Sequence, residues 1–303
     1  MTTRLDWERD GQGWPQRDAS RFVQASGLRW LVQQAGPTNA PLLLLIHGTG
    51  AASHSWRGLM PLLALHFNTL AVDLPGHGYT SAASAAQMSL PGMARALQQL
   101  LAAALGPQAQ AGPELVVGHS AGAAIAARMC LDGAMAPRGL VSLNGAFLPL
   151  GGLPGLLFPS AAKLMAALPF VPEMFASRAA SPAAVQRLIE GTGSRLDAEG
   201  AALYARLLRN PGHAAGALAM MANWDLRPLE RDLPRLTVPL TLLVGANDRA
   251  VPASQSRHVH RLLPASRLVT LPGLGHLAHE EQPALLAAHI VEAARTVGLP
   301  PAA

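Results

Sequence analysis

Gly118-His119-Ser120-Ala121-Gly122 fits the pattern G-x-S-x-G, with an apolar run before it and an Ala-rich helical stretch after it. That setting is what the pattern needs to present a serine hydroxyl on a sharp strand-to-helix turn. Small residues let the backbone fold tightly there, and the helix that follows offers its positive end to an anion. A glycine-rich turn with a serine cap would read the same way, so the motif needs support from elsewhere in the chain. A serine hydroxyl is a weak nucleophile at neutral pH and requires a base beside it. The base in turn requires a carboxylate that fixes its tautomer and stabilises the imidazolium. Asp248, in GANDRAVP, and His276, in LPGLGHLAHEE, each stand just past a strand-like apolar run, and the chain order is Ser, Asp, His. The expected chemistry is acyl transfer to water, with Ser120 as nucleophile, His276 as general base and Asp248 as its orienting acid.

Acyl transfer also needs two N–H donors aimed at the developing oxyanion. One is expected from Ala121, the residue after the nucleophile. The other is expected from Thr49, in the turn His47-Gly48-Thr49-Gly50 that follows the first buried run. A similar turn, Asp73 to Gly78, offers no nucleophile or donor pair and reads as structural. Each triad position has a competitor. Asp225 and Asp232 follow no strand, which suits helix caps or the surface. Asn144 closes a strand where an acid could stand, yet an amide carries no charge. His279 is expected at the start of a helix, and His119 and His47 as structural hydrogen-bonding residues. The histidines lack metal-ligand spacing, and the glycines form neither a phosphate loop nor a dinucleotide fingerprint, so neither metal nor cofactor is expected.

The residues of the expected site must be carried by regular elements. Leu28 to Gln33 alternates like an antiparallel edge strand. Pro41 to Ile46 and Leu115 to Val117 read as short buried strands, and Thr69 to Val72, Leu140 to Leu143, Leu240 to Val244 and Arg267 to Leu271 as further strands. Met93 to Leu105, Ala121 to Leu131 and about Gln282 to Thr296 read as helices. Strands alternating with helices predict an α/β protein with a mostly parallel, doubly wound sheet. From residue 146 to 232 the strand pattern stops, which predicts a helical cap inserted between core strands, with the core at 1–145 and 233–303.

Half of the 303 residues are hydrophobic and 14% are charged, enough for a sizeable core. The net charge of +5 is scattered rather than gathered in a tract, which argues against nucleic acid as a partner. A solvated basic surface explains it, and an anionic membrane surface would also suit it. The single cysteine, Cys130, excludes an intramolecular disulfide and reads as a structural thiol. The first residues are charged and lack the apolar core of a leader, and no apolar run is long enough to span a bilayer, so a cytoplasmic protein is expected.

The order of HGTG, DLPGHG, GHSAG, GANDRAVP and GLGH resembles the α/β-hydrolase superfamily along nearly the whole chain. More narrowly, residues 14–36, 42–64 and 89–101 resemble the magnesium-chelatase accessory hydrolases of bacteriochlorophyll synthesis. That resemblance implies an association with magnesium insertion into protoporphyrin IX, with chelatase subunits as partners, and implies no particular reaction. Serine at the elbow separates the chain from superfamily members that use aspartate there; esterases, lipases, perhydrolases and carbon–carbon bond hydrolases all keep serine.

The inserted stretch carries Leu153, Leu156, Leu157, Phe158, Leu164, Met165, Phe170, Met174 and Phe175. As a set these predict a pocket for an apolar or aromatic small molecule, porphyrin-related on the narrower resemblance, or a face for peripheral membrane contact. Singly, each would serve equally to pack the insertion onto the core. Two functions follow: a serine hydrolase, or a porphyrin-binding accessory protein that keeps the fold and does little chemistry.

Overall fold

The computed structural model describes residues 3–106, 112–149, 168, 170–179 and 181–299. Eight strands form one sheet: β1 (Ser20–Ala25), β2 (Leu28–Ala35), β3 (Leu42–Ile46), β4 (Asn68–Val72), β5 (Leu115–His119), β6 (Gly139–Leu143), β7 (Leu240–Gly245) and β8 (Arg267–Leu271). Their order is β1-β2-β4-β3-β5-β6-β7-β8. β1 and β2 form an antiparallel hairpin, β2 runs antiparallel to β4, and every other pairing is parallel.

The central strands are unbroken apolar runs because both of their faces are covered. Leu44, Ile46, Val116, Leu140, Leu242 and Val244 point into one core. The residues between them, such as Leu43, Leu45, Val117, Val141 and Leu243, point into the other. Helices α1 (Leu90–Leu105) and α2 (Ala121–Leu131) cover the first face. Ser89 caps α1, its hydroxyl accepting from Gly92 N at 3.2 Å. Between β6 and β7 come five helices and no strand among the described residues: α3 (Val171–Arg178), α4 (Pro182–Gly191), α5 (Ala198–Leu208), α6 (Pro211–Ala222) and α7 (Arg227–Asp232). The core resumes with α8 (Ala253–Leu262), and α9 (Pro283–Thr296) packs on the second face through Leu286, Ile290 and Ala294.

One feature differs from the sequence expectation. β2 is not an edge strand: β1, whose run SRFVQA is interrupted by Arg21 and Gln24, lies outside it. β2 is therefore buried along most of its length instead of on one face. The N-terminal segment is built into the molecule. Arg4 donates to Gly212 O at 3.1 Å, at the start of α6, and to Thr80 O. Trp14 joins Leu31, Tyr79, Leu203 and Leu207 in a separate small core. No helix among the described residues is long and apolar enough to cross a membrane.

Candidate active site

Ser120 follows the last residue of β5 and precedes the first of α2, as the G-x-S-x-G pattern requires. Its φ of 51° and ψ of −118° are strained for a residue with a β-carbon. The bend is held from both sides, since Ser120 N donates to Leu143 O on β6 while Ser120 O accepts from Ala123 N and Ala146 N. Such a backbone leaves the side chain half-buried at the carboxyl end of the sheet, where open α/β sheets place their sites.

Asp248 and His276 arrive from the loops after β7 and β8. The ring of His276 donates from Nδ1 to Asp248 Oδ2 at 2.8 Å. This tautomer, assigned from the acceptor, leaves Nε2 free to take a proton. The Asp248 carboxylate is fixed by three more donors: Ala250 N and Val251 N on Oδ1, each at 2.8 Å, and Asn144 Nδ2 on Oδ2 at 2.7 Å. Among the described residues, Ser120 Oγ makes no hydrogen bond to His276. The serine turn instead meets the His276 loop through His119, at the end of β5, whose Nε2 donates to His276 O at 3.0 Å and whose ring lies 4.7 Å from that of His276. Nucleophile–base bonds are often loose before substrate binds.

The turn bearing Thr49 abuts Ser120. A β-carbon at Gly48 would stand 2.9 Å from that of Ser120, so only glycine lets this loop come so close. Ala121 is the first residue of α2, a position whose N–H has no acceptor within its own helix. The turn is braced from behind. The His47 ring donates to Gly48 O from Nδ1 and accepts from Leu74 N at Nε2. His213, on α6, accepts from Gly78 N and donates to Gly50 O. The Thr49 hydroxyl donates to Met220 Sδ, also on α6, at 3.3 Å. Burial pushes His47, His119 and His213 well below the usual imidazole range, which keeps these braces neutral.

The competitors fall elsewhere. Asp232 ends α7 and pairs with Arg128 at 2.9 Å, and Asp225 pairs with Arg227 at 2.7 Å. The Asp73 turn is structural: its buried carboxylate accepts from Ser53 N and Tyr79 N, and burial lifts its pKa to about 6. His279 lies in the short helix Ala278–Glu281, fully buried. Cys130 is half-buried, and burial pushes its thiol up to about 12. Asn144 is the residue whose part the sequence hid. Having no charge it cannot serve as a carboxylate, but its amide grips Asp248 across 104 residues of chain. A strand end next to the β7 loop was the available signal.

Of the apolar residues in the inserted stretch, Leu153, Leu156, Leu157, Phe158, Leu164 and Met165 lie outside the described residues. Phe170, Met174 and Phe175 are exposed, at 60%, 42% and 42%. A polar cleft of about 820 Å³ adjoins Asp248; its walls include Gly193, Ser194, Arg195 and Asn247.

The family profile for the alpha/beta hydrolase fold matches residues 41–283. The chain is 39% identical over 267 residues to the "Magnesium-chelatase 30 kDa subunit" of Rhodobacter capsulatus, covering 88% of this chain and 91% of that one. It is 30% identical over 251 residues to a "Pimeloyl-[acyl-carrier protein] methyl ester esterase" of Vibrio vulnificus, covering 80% and 88%. An alpha/beta hydrolase fold protein from Burkholderia ambifaria superposes with a TM-score of 0.74 at 22% identity, over 96% of this chain and all of that one, a likeness of fold alone. Sheet order, strand-to-helix serine turn and the profile spanning most of the chain agree: the protein belongs to the α/β-hydrolase family.

Proposed function

We propose that the protein is a cytoplasmic serine esterase that cleaves an apolar or aromatic carboxylic ester through Ser120, His276 and Asp248. The 2.8 Å bond from His276 Nδ1 to Asp248 Oδ2, beside a serine held at positive φ, carries the reading. In this mechanism His276 Nε2 removes the Ser120 proton as Oγ attacks the ester carbonyl. The N–H groups of Thr49 and Ala121 hold the oxyanion. The tetrahedral adduct collapses, the alkoxide leaves with the proton from His276, and an acyl-Ser120 remains. Water, deprotonated by His276, then attacks the acyl carbon and releases the acid. The helices between β6 and β7 act as a cap over this chemistry, spanning about 146–232. Exposed Phe170, Met174 and Phe175 suit an entry face for a greasy substrate or a transient contact with a membrane surface.

The likeness to a protein named as a magnesium-chelatase subunit supports a place beside magnesium insertion into a porphyrin, with chelatase subunits as partners. It also favours a second reading, in which the fold binds a porphyrin and does no chemistry. A fluorophosphonate probe and p-nitrophenyl esters separate the two. Covalent labelling at Ser120, with turnover that Ser120→Ala abolishes, is expected of the esterase. No turnover and no labelling would leave the binding protein.

A further inference from the structure

Thr192, Gly193, Ser194 and Arg195 follow α4, in the inserted stretch, more than fifty residues before the acid and eighty before the base. The first three nonetheless touch a loop that bears one of them, and Arg195 reaches the base loop through Glu281. Thr192 O accepts from Arg249 N at 3.1 Å and from His276 N at 3.4 Å, one carbonyl serving both loops. Ser194 Oγ, fully buried, accepts from Leu277 N at 2.8 Å. Arg195 N donates to Glu281 Oε2 at 3.3 Å, and Oε1 of the same carboxylate accepts from Gly275 N at 2.8 Å. Gly193 sits at φ +85°, and a β-carbon there would stand 1.9 Å from Asn247 O. Four consecutive residues thus grip the neighbours of Asp248 at 247 and 249, and residues 275 to 277 on the base side.

We propose that Thr192–Arg195 is a positioning element that sets the distance between acid and base, so that the insertion governs turnover as well as what enters. This rests on the triad proposed above. Asp248 and His276 stand on different loops, and loops hold their ends less firmly than strands do. A hydrogen bond of 2.8 Å between them demands that the two loops keep register to a fraction of an ångström. β7 and β8 set the roots of the loops; a third body touching both beyond the sheet sets their tips. Thr192 O, bound to one amide from each loop, is that body's central contact.

The test uses the full chain with a p-nitrophenyl ester, together with the low-field proton resonance of the His276–Asp248 hydrogen bond. Ser194→Ala leaves the Leu277 amide without its acceptor. It is expected to lower kcat about tenfold with KM within about twofold, since small misplacements of reacting groups act on the chemical step. It is also expected to shift or broaden the resonance. Leu203→Ala, a buried residue of α5 packed toward Trp14 and Tyr79, serves as the control for a merely weakened insertion. It is expected to lower the thermal midpoint and leave kcat and the resonance in place. Because Ser194 is buried, Glu281 provides a partly exposed second probe. Glu281→Gln keeps one acceptor and Glu281→Ala keeps none, so kcat should fall in the order parent, Gln, Ala. If Ser194→Ala and Glu281→Ala keep kcat and the resonance, or lose kcat only in proportion to thermal midpoint as Leu203→Ala does, the proposal is overturned. If the parent shows no turnover and no labelling while Ser194→Ala still moves the resonance, the esterase reading fails and the positioning role stands.

Discussion

His276 and His279 stand three residues apart, both buried, in surroundings of opposite character. His276 gives Nδ1 to a carboxylate held by three other donors, and its own carbonyl and amide are held by His119 and Thr192. His279 rests between rings, 4.8 Å from Trp56 and 4.4 Å from His119, with no hydrogen-bond partner for either ring nitrogen among the described residues. Glu280 Oε1 comes no closer to it than 4.0 Å. Burial pushes His279 down to about 3, and His54, packed against Trp14 and Tyr204, to the same value. Both are neutral rings at any ordinary pH and serve as flat packing pieces. Burial with no polar partner keeps the His279 ring neutral, while the His276 ring is held by a fixed carboxylate.

The sharpest way to break this contrast is to replace each histidine in turn. His276→Ala should lower kcat by about 10⁴-fold or more and barely move the thermal midpoint. His279→Phe should keep kcat within about threefold, because an apolar ring of similar shape leaves no polar atom stranded. Stopped turnover in the Phe variant would show that His279 belongs to the chemistry. Next in size, Asp248→Asn should cost about 10⁴-fold in kcat by allowing the wrong tautomer. Asn144→Ala, which removes one of four donors, should cost only about tenfold; an unchanged kcat would mean that Ala250 N and Val251 N hold the acid unaided.

Stability against pH separates the two regions again. His54 and His279, at about 3, and His77, at about 4, bind fewer protons folded than unfolded as pH falls below 6.5. They therefore draw stability down between pH 6.5 and 3. His279→Phe should lessen that acid loss, as read from thermal midpoints across the range. Glu280 has the opposite sign. Burial beside Tyr204 raises it to about 8, so the folded chain holds a proton that the unfolded chain has lost above pH 4.5. Its contribution is complete below pH 4.5 and disappears as pH rises through 8. Between 4.5 and 6.5 the two trends oppose each other, so Glu280→Gln should show its flattening most clearly from pH 6.5 to 8. The smallest effect is expected at Cys130, whose thiol should resist iodoacetamide at pH 8 in the folded chain and react once it is unfolded.

The central sheet was legible because its strands are buried on both faces and read as unbroken runs of Leu, Ile and Val. β1 was not, because Arg21 and Gln24 give a half-solvated strand the look of a loop. The gathering of Ser120, Asp248 and His276 at one end of the sheet was legible from local motif and chain order, since Ser120 follows β5 directly and the other two stand on the loops that leave β7 and β8. Asn144, Thr192 and Ser194 could not. Their contacts reach the site across 57 residues, from Thr192 to Arg249, up to 131, from Asn144 to Gly275, through amides and hydroxyls that any surface turn might carry. In HLAHEE the two histidines look alike as letters; their three-dimensional neighbours, a carboxylate for His276 and two rings for His279, set them apart.

Arg4 holds the carbonyl of Gly212, 208 residues further along. A ribosome adding about 5–20 residues each second would take on the order of ten seconds or more to supply that partner. Throughout that interval the emerging N-terminal segment has no α6 to clasp, and α5 has yet to bring Leu203 and Leu207 to Trp14. Trp7 and Trp14 can meet Phe22, Leu31 and Tyr79 in that time, but not the cover that α5 later adds. Closure of this clasp is a late event of biosynthesis, which makes the first residues of the chain a reporter of finished assembly.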